Sequence, residues 1–306
     1  MDSLDVKLVV LLLLIMMVQS YSQSDSIFYD NYRIMWGDSH ALVLSQGTEV
    51  QLSLDSSSGS GFGSKLFYGS GYINMSIKLS DKLYTGGLVT ALFMSSSTNN
   101  RDELDLEFLG HIIGKLYMPQ TNIFVNGVGG REQRINLWFN PSADFHSYSI
   151  LWNQHQVVFY VDSIPIRVFK NQQEHGIPYV TQPMQILTSL WNGDTWATDG
   201  GRAKMNYNYS PFDVHFKGFG INGCPPQING FHGCPTQING SYGCSVKIDG
   251  AHGCYSSEYW WNGHQYWRLN FAQQRAYETV KSKYMSYDYC KDENRYPSPP
   301  PECTTK

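Results

Sequence analysis

Between Ile27 and Leu190, apolar residues come in short bursts broken every few positions by Gly, Ser, Asn or Pro. Residues 41–44 and 50–54 read as strands, followed by the flexible run Ser56-Ser57-Ser58-Gly59-Ser60-Gly61. Residues 72–79 alternate apolar with polar, and 89–94 do so less cleanly. Tyr148, Ile150 and Trp152 alternate with polar neighbours, and 157–161 turns at Asp162-Ser163 into 164–169. Period-two patterning between turn residues marks half-buried strands, and this spacing predicts an all-β, antiparallel β-sandwich. Helical periodicity enters only near residue 270, where 271–283 predict one short helix.

One stretch departs from ordinary strand chemistry. In Arg101-Asp102-Glu103-Leu104-Asp105-Leu106-Glu107-Phe108-Leu109-Gly110, three acids alternate with three apolar residues. On a strand, Glu103, Asp105 and Glu107 project from one face and Leu104, Leu106 and Phe108 from the other. A helix would scatter the acids, and no capping signal precedes them. A charged edge that discourages aggregation is the structural alternative, but Lys usually serves there and none is present. Glu103 and Glu107 lie about 13 Å apart at Cα, at about 3.3 Å per residue. Their side chains can lean together toward the ~5–5.5 Å of a retaining glycosidase, one acid attacking and the other donating a proton. Asp105, between them, is expected to raise a neighbour's pKa.

Composition adds a compartment. Residues 8–18 are uninterruptedly apolar after Lys7, too short to span a bilayer but suited to a secretory signal peptide ending near residue 22. The expected division is a leader (1–22), a catalytic sandwich (23–212) and a C-terminal extension (213–306). With a net charge of −4 and no basic tract, neither nucleic acid nor a membrane is an expected partner. Sequons stand at Asn74, Asn208 and Asn239, and the leader gives them weight. The 21 Tyr and 8 Trp exceed what a core of this size needs, and flat aromatic faces stack on sugar rings.

Beyond Pro211, Gly-Cys recurs every ten residues at Cys224, Cys234, Cys244 and Cys254, with an Ile-Asn/Asp-Gly repeat around it. His232 and His252 precede a Cys by two residues. The secretory context and the lack of a Cys-x-x-Cys pair favour loops stapled by two disulfides over a metal site, with the pairing open. Cys290 and Cys303 bracket a Pro-rich tail that would fray without a bridge between them.

The run Asp102–Gly110 resembles the active-site signature of plant xyloglucan endotransglucosylase/hydrolases, in the β-jelly-roll clan of family-sixteen glycoside hydrolases. Met35-Trp36-Gly37-Asp38, Gln120-Thr121-Asn122-Ile123-Phe124 and Arg131-Glu132-Gln133-Arg134 resemble further family segments. So do Trp191, Trp196-Ala197-Thr198 with Gly200-Gly201, Tyr287-Asp288-Tyr289-Cys290 and Pro301-Glu302-Cys303. The resemblance implies a jelly-roll, concanavalin-like fold with Glu103 as nucleophile, Asp105 as helper and Glu107 as acid/base. It implies donor-sugar contacts at Gln120, Asn122, Glu132 and Arg134, with Trp191, Trp196 and Gly201 near the cleavage point and acceptor side. It further implies a secreted, monomeric apoplastic enzyme that needs no cofactor and transfers xyloglucan from a donor chain to an acceptor chain. A mainly hydrolytic enzyme and a non-catalytic, lectin-like wall-binding protein are the alternatives. The chain departs from the family at Arg101, where His is usual, and at His111-Ile112-Ile113, where a sequon is common. Four array cysteines stand where the family has one pair, and Ala276-Tyr277-Glu278 replaces an Arg-containing helix segment.

Overall fold

The computed structural model describes residues 26–228, 231–232 and 253–304. A single-turn helix, α1 (Phe28–Asn31), leads into β1 (Tyr32–Trp36), β2 (Ala41–Leu44), β3 (Glu49–Leu54) and β4 (Ser60–Tyr68). Then come β5 (Gly71–Lys78), β6 (Leu88–Ser95), β7 (Glu103–Leu109), β8 (Met118–Phe124) and β9 (Gln133–Ile135). The series continues with β10 (His146–Trp152), β11 (Gln156–Val161), β12 (Ile164–Lys170), β13 (Met184–Asn192) and β14 (Phe212–Lys217). The extension adds the two-residue strands β15 (Asn222–Gly223), β16 (Gln227–Ile228) and β17 (Phe231–His232), then helix α2 (Phe271–Lys283) and β18 (Met285–Asp288).

Two antiparallel sheets face each other. The first runs β1-β4-β13-β6-β7-β8-β9-β18, the second β12-β11-β10-β5-β14-β3-β2. Strand β14 lies between β5 and β3, so the second sheet continues past position 212. The turn expected at Asp162-Ser163 joins β11 to β12. Both residues are left-handed (φ 47° and 66°), the two-residue geometry whose twist matches the flanking strands. Alternation becomes layering: Ile73, Met75 and Ile77 of β5 point into the core, while Tyr72, Asn74 and Ser76 face outward. Leu104, Leu106 and Phe108 of β7 meet them from the other sheet, fully buried. Each such side chain contributes about 1.5–3 kcal/mol on burial.

The second sheet's outer face is covered by the extension, where Trp261 and Cys254 pack against Leu151, Val158 and Tyr160. Cys224 bonds Cys254, and Cys290 bonds Cys303. Cys234, Cys244, His252 and Asn239 lie outside the described residues, as does the expected leader. Helix α2 spans the expected residues. Asn270 accepts from the Gln273 backbone N–H at 2.9 Å and the Gln273 side chain accepts from Asn270 N–H at 3.0 Å, a capping box. Its Tyr277 and Val280 are buried beside β12 and β18, which sets β18 as the last strand of the first sheet.

Candidate active site

Because the even-parity residues of β7 are locked in the core, Glu103, Asp105 and Glu107 have only the outer face of the first sheet left to them. There they stand in register with β8, where Glu103 faces Phe124, Asp105 faces Asn122 and Glu107 faces Gln120. On the other side, β6 sets Ser95, Phe93 and Ala91 against the same three acids. A cleft of about 680 Å³ opens over this patch. Its walls include Trp36, Arg101, Glu132, Trp191 and Trp196 around the three acids.

One row of directly paired residues crosses the entire sheet: Trp36, Gly61, Ser189, Ala91, Glu107, Gln120, Arg134 and Tyr287. Three small residues separate Trp36 from Glu107, leaving a trough. At about 4.8 Å per strand, the trough is long enough for a few sugar units laid across the strands. A Cβ at Gly61 would collide with the Trp36 indole nitrogen and the Thr188 carbonyl, so only glycine lets that ring lie down on the sheet.

The acids differ in environment. Burial pushes Glu107 up to about 7, with the charges of Glu103 and Glu132 adding to it. Gln120 Nε2, donating to Glu107 Oε2 at 3.0 Å, and the Arg134 charge oppose the rise. Asp105 is raised well above the ordinary carboxylate range, by burial first and then by Glu103 and Glu107. Asp105 was expected to raise a neighbour; the shift falls on Asp105 itself, and for Glu107 burial is the leading cause. Glu103 is gripped by Arg101, with Nε 2.7 Å from Oε2 and Nη2 3.2 Å from Oε1. A buried carboxyl raised toward neutrality beside one paired with a guanidinium is the arrangement that acid–nucleophile chemistry requires.

The remaining residues expected here fall into two groups. Gln120, Asn122, Glu132, Trp191 and Trp196 line the cleft with the acids. Asn122 Oδ1 accepts from the Ile123 and Arg131 amides at 2.9 and 3.0 Å, leaving its Nδ2 for a ligand. Arg134 and Gly201 stand behind the wall. Arg134 donates to Gln120 Oε1 at 2.8 Å and lies 5.4 Å over the Tyr287 ring, so it orients the amide that touches Glu107. Gly201 is left-handed (φ 82°) beneath Trp196, where a Cβ would press on the Thr195 carbonyl and the Trp196 amide. Trp191 and Trp196 have ring centroids 6.1 Å apart and rest on Val89, Leu109 and Ala197.

Sequence reasoning missed the clamp on the segment carrying Glu132. The Tyr296 hydroxyl donates to the Gly130 carbonyl at 2.7 Å, and Arg131 pairs with Glu302 at 2.6 Å. Arg295 pairs with Glu132 at 2.6 Å, and Gln133 donates to Asp288 at 3.0 Å. Four consecutive residues are thus held, three by the tail that Cys290–Cys303 closes and Gln133 by β18 just before it. The Arg131–Glu302 pair is almost wholly buried, at 11% and 8% side-chain exposure, so losing either partner strands a charge. Phe93 and Phe124 on the floor were also missed; the untidy alternation of 89–94 concealed the first. Of the sequons, Asn208 is exposed, whereas Asn74 Oδ1 accepts from Ser147 and Ser149 at 2.6 and 2.7 Å on the neighbouring strand.

Residues 28–209 match the family described as glycosyl hydrolases family 16, and residues 255–303 match the xyloglucan endo-transglycosylase (XET) C-terminus. Xyloglucan endotransglucosylase/hydrolase protein 3 of Arabidopsis thaliana is 49% identical, over 90% of this chain and 88% of that protein. Xyloglucan endotransglucosylase/hydrolase protein A of Phaseolus angularis is 42% identical over 90% and 88%. Among solved structures, the Bacillus licheniformis β-glucanase superposes with a TM-score of 0.50 at 26% identity, covering 61% of this chain and 89% of that one. The Crh5 transglycosylase shares the fold, with a TM-score of 0.52 at 20% identity over 64% and 80% of the two chains. A signature strand on the floor of a sandwich cleft, with a matching catalytic region and a matching C-terminal extension, places this chain in glycosyl hydrolase family 16, among the xyloglucan endotransglucosylase/hydrolases.

Proposed function

We propose that the chain cuts the β-1,4-glucan backbone of xyloglucan and rejoins the cut end to another chain, with retention of configuration. Glu103, paired at both oxygens with the Arg101 guanidinium, attacks the anomeric carbon. Glu107 gives its proton to the departing glucan oxygen as the glycosidic bond breaks. The glycosyl ester on Glu103 is then attacked by the 4-hydroxyl of an acceptor chain, whose proton passes to Glu107. Asp105, raised by burial and by both glutamates, is the helper between them. The observation that carries this reading is the contrast between Glu107, pushed up to about 7, and Glu103 in its ion pair.

Gln120, Asn122 and Glu132 hydrogen-bond sugar, and Trp191 and Trp196 carry ring faces near the cleavage point. The working unit is one chain, a sandwich (23–212) with its extension (213–306), acting in the cell wall outside the cell. Among the described residues no helix is long and apolar enough to cross a membrane. Both disulfides suit an oxidising compartment. Xyloglucan incubated with and without labelled oligosaccharide tests the function. Chain-length reshuffling with little reducing-end release is expected. Release without reshuffling would mark a hydrolase, and neither would mark a binding protein.

A further inference from the structure

The guanidinium on Glu103 occupies both carboxylate oxygens, in a fork that is the strongest form of side-chain ion pair. It is a built contact. The Arg101 Cζ lies 5.1 Å over the ring of Phe124, the residue directly opposite Glu103 on β8. The Arg101 carbonyl accepts from Gly127 N at 2.8 Å. The next residue, buried Asp102, accepts from the Asn126, Thr181 and Gln182 amides at 2.8, 2.7 and 2.9 Å. Backbone and ring together therefore aim the guanidinium at the nucleophile before any substrate arrives.

That placement has a consequence for the covalent cycle described under Proposed function, on which it rests. In the first step a Glu103 oxygen bonds the anomeric carbon, the glycosidic bond breaks, and the leaving oxygen takes the Glu107 proton. Glu103 is then a neutral ester, and its two-point charged pair with Arg101 is gone. In the second step the acceptor hydroxyl bonds the anomeric carbon, its proton goes to Glu107, and the ester's electron pair returns to Glu103. The ion pair is restored. Arg101 thus stabilises the states before and after the ester but not the ester itself. We propose that Arg101 is a positioning residue that sets the lifetime of the glycosyl-enzyme, slowing its formation and speeding its breakdown by making Glu103 a better leaving group.

The test uses an aryl β-glycoside of a xyloglucan oligosaccharide and the full-length enzyme. Intact-protein mass spectrometry measures the steady-state fraction carrying a glycosyl group, and the aryl burst measures the first step. Arg101→Gln is expected to raise that fraction at least about fivefold and to quicken the burst relative to turnover, the signature of altered partition. Arg101→Lys, which keeps the charge without the fork, falls between the two. If Arg101→Gln does not fold, Arg101→His is measured instead. An unchanged covalent fraction, or burst and turnover falling together, overturns the inference. Peptide mapping of the adduct separates this from failure of the underlying reading: label anywhere but Glu103 refutes the nucleophile assignment itself.

Discussion

Arg295 reaches across 163 residues of sequence to place Nη1 2.6 Å from the Glu132 carboxylate at the cleft wall. The Tyr289 backbone N–H donates to the Glu132 carbonyl at 3.1 Å, so main chain and side chain of this acid are both fixed by the tail. The negative charge of Glu132 helps raise Glu107, and Arg295 is the cation paired with it. Removing the cation should therefore raise Glu107 further.

In Arg295→Gln, the basic limb of the kcat/KM profile should move to higher pH, by something of the order of 0.5 pH unit. Glu132→Gln should move it to lower pH. Global stability changes little, because the Arg295 side chain is 43% exposed and such pairs contribute under about 1 kcal/mol. Profiles of both variants decide the matter, and a shift of the same sign in each would refute the coupling.

Glu107 also leaves a mark on stability. Its carboxyl binds a proton more tightly in the folded chain, at about 7 against an ordinary value of 4.5. Between those values the folded state holds more protons than the unfolded one, so stability falls as pH rises through the window. The loss approaches about 3 kcal/mol by pH 8 as an upper figure. Glu107→Gln removes it. The variant should match the native chain at pH 4 and exceed it at pH 8 in urea unfolding; equal stability at pH 8 would mean that Glu107 is not held protonated.

Trp36 marks the far end of the trough. Trp36 is 41% exposed, and covering that surface with a sugar face is worth about 1–2 kcal/mol. Trp36→Ala should raise KM about 5- to 30-fold on long chains with kcat nearly unchanged, the pattern of binding that is equal in ground and transition states. On oligosaccharides too short to reach it the effect should vanish. A loss independent of chain length would make Trp36 a packing residue.

Trp196 should act on the second step. It lines the cleft beside Trp191, where a stacked acceptor ring competes with water. Trp196→Ala should lower the ratio of transfer to hydrolysis, measured as reshuffled chain length against reducing ends. An equal fall in both activities would assign it to packing.

What was legible in the sequence follows the range of the interactions. Period two in 103–108 fixes which side chains share a face, because strand geometry is local, and the acids emerged on one floor as expected. The span of α2 was readable from helical periodicity, which is also local, and the Asn270–Gln273 capping box fixes its start. The row from Trp36 to Tyr287 was not, since it depends on the order of strands far apart in the chain. Nor was the Glu132 clamp, whose partners lie in the tail. The pairing of Cys224 with Cys254, 30 residues apart, is likewise a fact of packing, set by the fold of the extension onto the second sheet. The direction of the Asp105 shift was hidden for a different reason. Spacing gives its neighbours but not its burial, and burial is the leading cause of its rise.

The assignment of Glu103 and Glu107 has a stereochemical test that needs no kinetic model. Each displacement at the anomeric carbon inverts it, so the native two-step reaction returns the β configuration. Glu103→Ala leaves a space beside Arg101 where azide can sit, paired to the guanidinium that formerly held the carboxylate. One displacement of an activated aryl β-donor then gives an α-glycosyl azide, while Glu107 still protonates the leaving group when needed. Glu107→Ala keeps the nucleophile, so an activated donor still forms the ester, and azide attacks it in a second displacement to give a β-glycosyl azide. Natural xyloglucan, whose leaving oxygen requires a proton, should be cut at least about 100-fold more slowly by this variant. The anomeric proton in the NMR spectrum of each product reads the outcome directly. A β-azide from Glu103→Ala, or an α-azide from Glu107→Ala, would exchange the two roles. The same product from both variants would move the nucleophile off this pair of residues, leaving Asp105 as the acid to test.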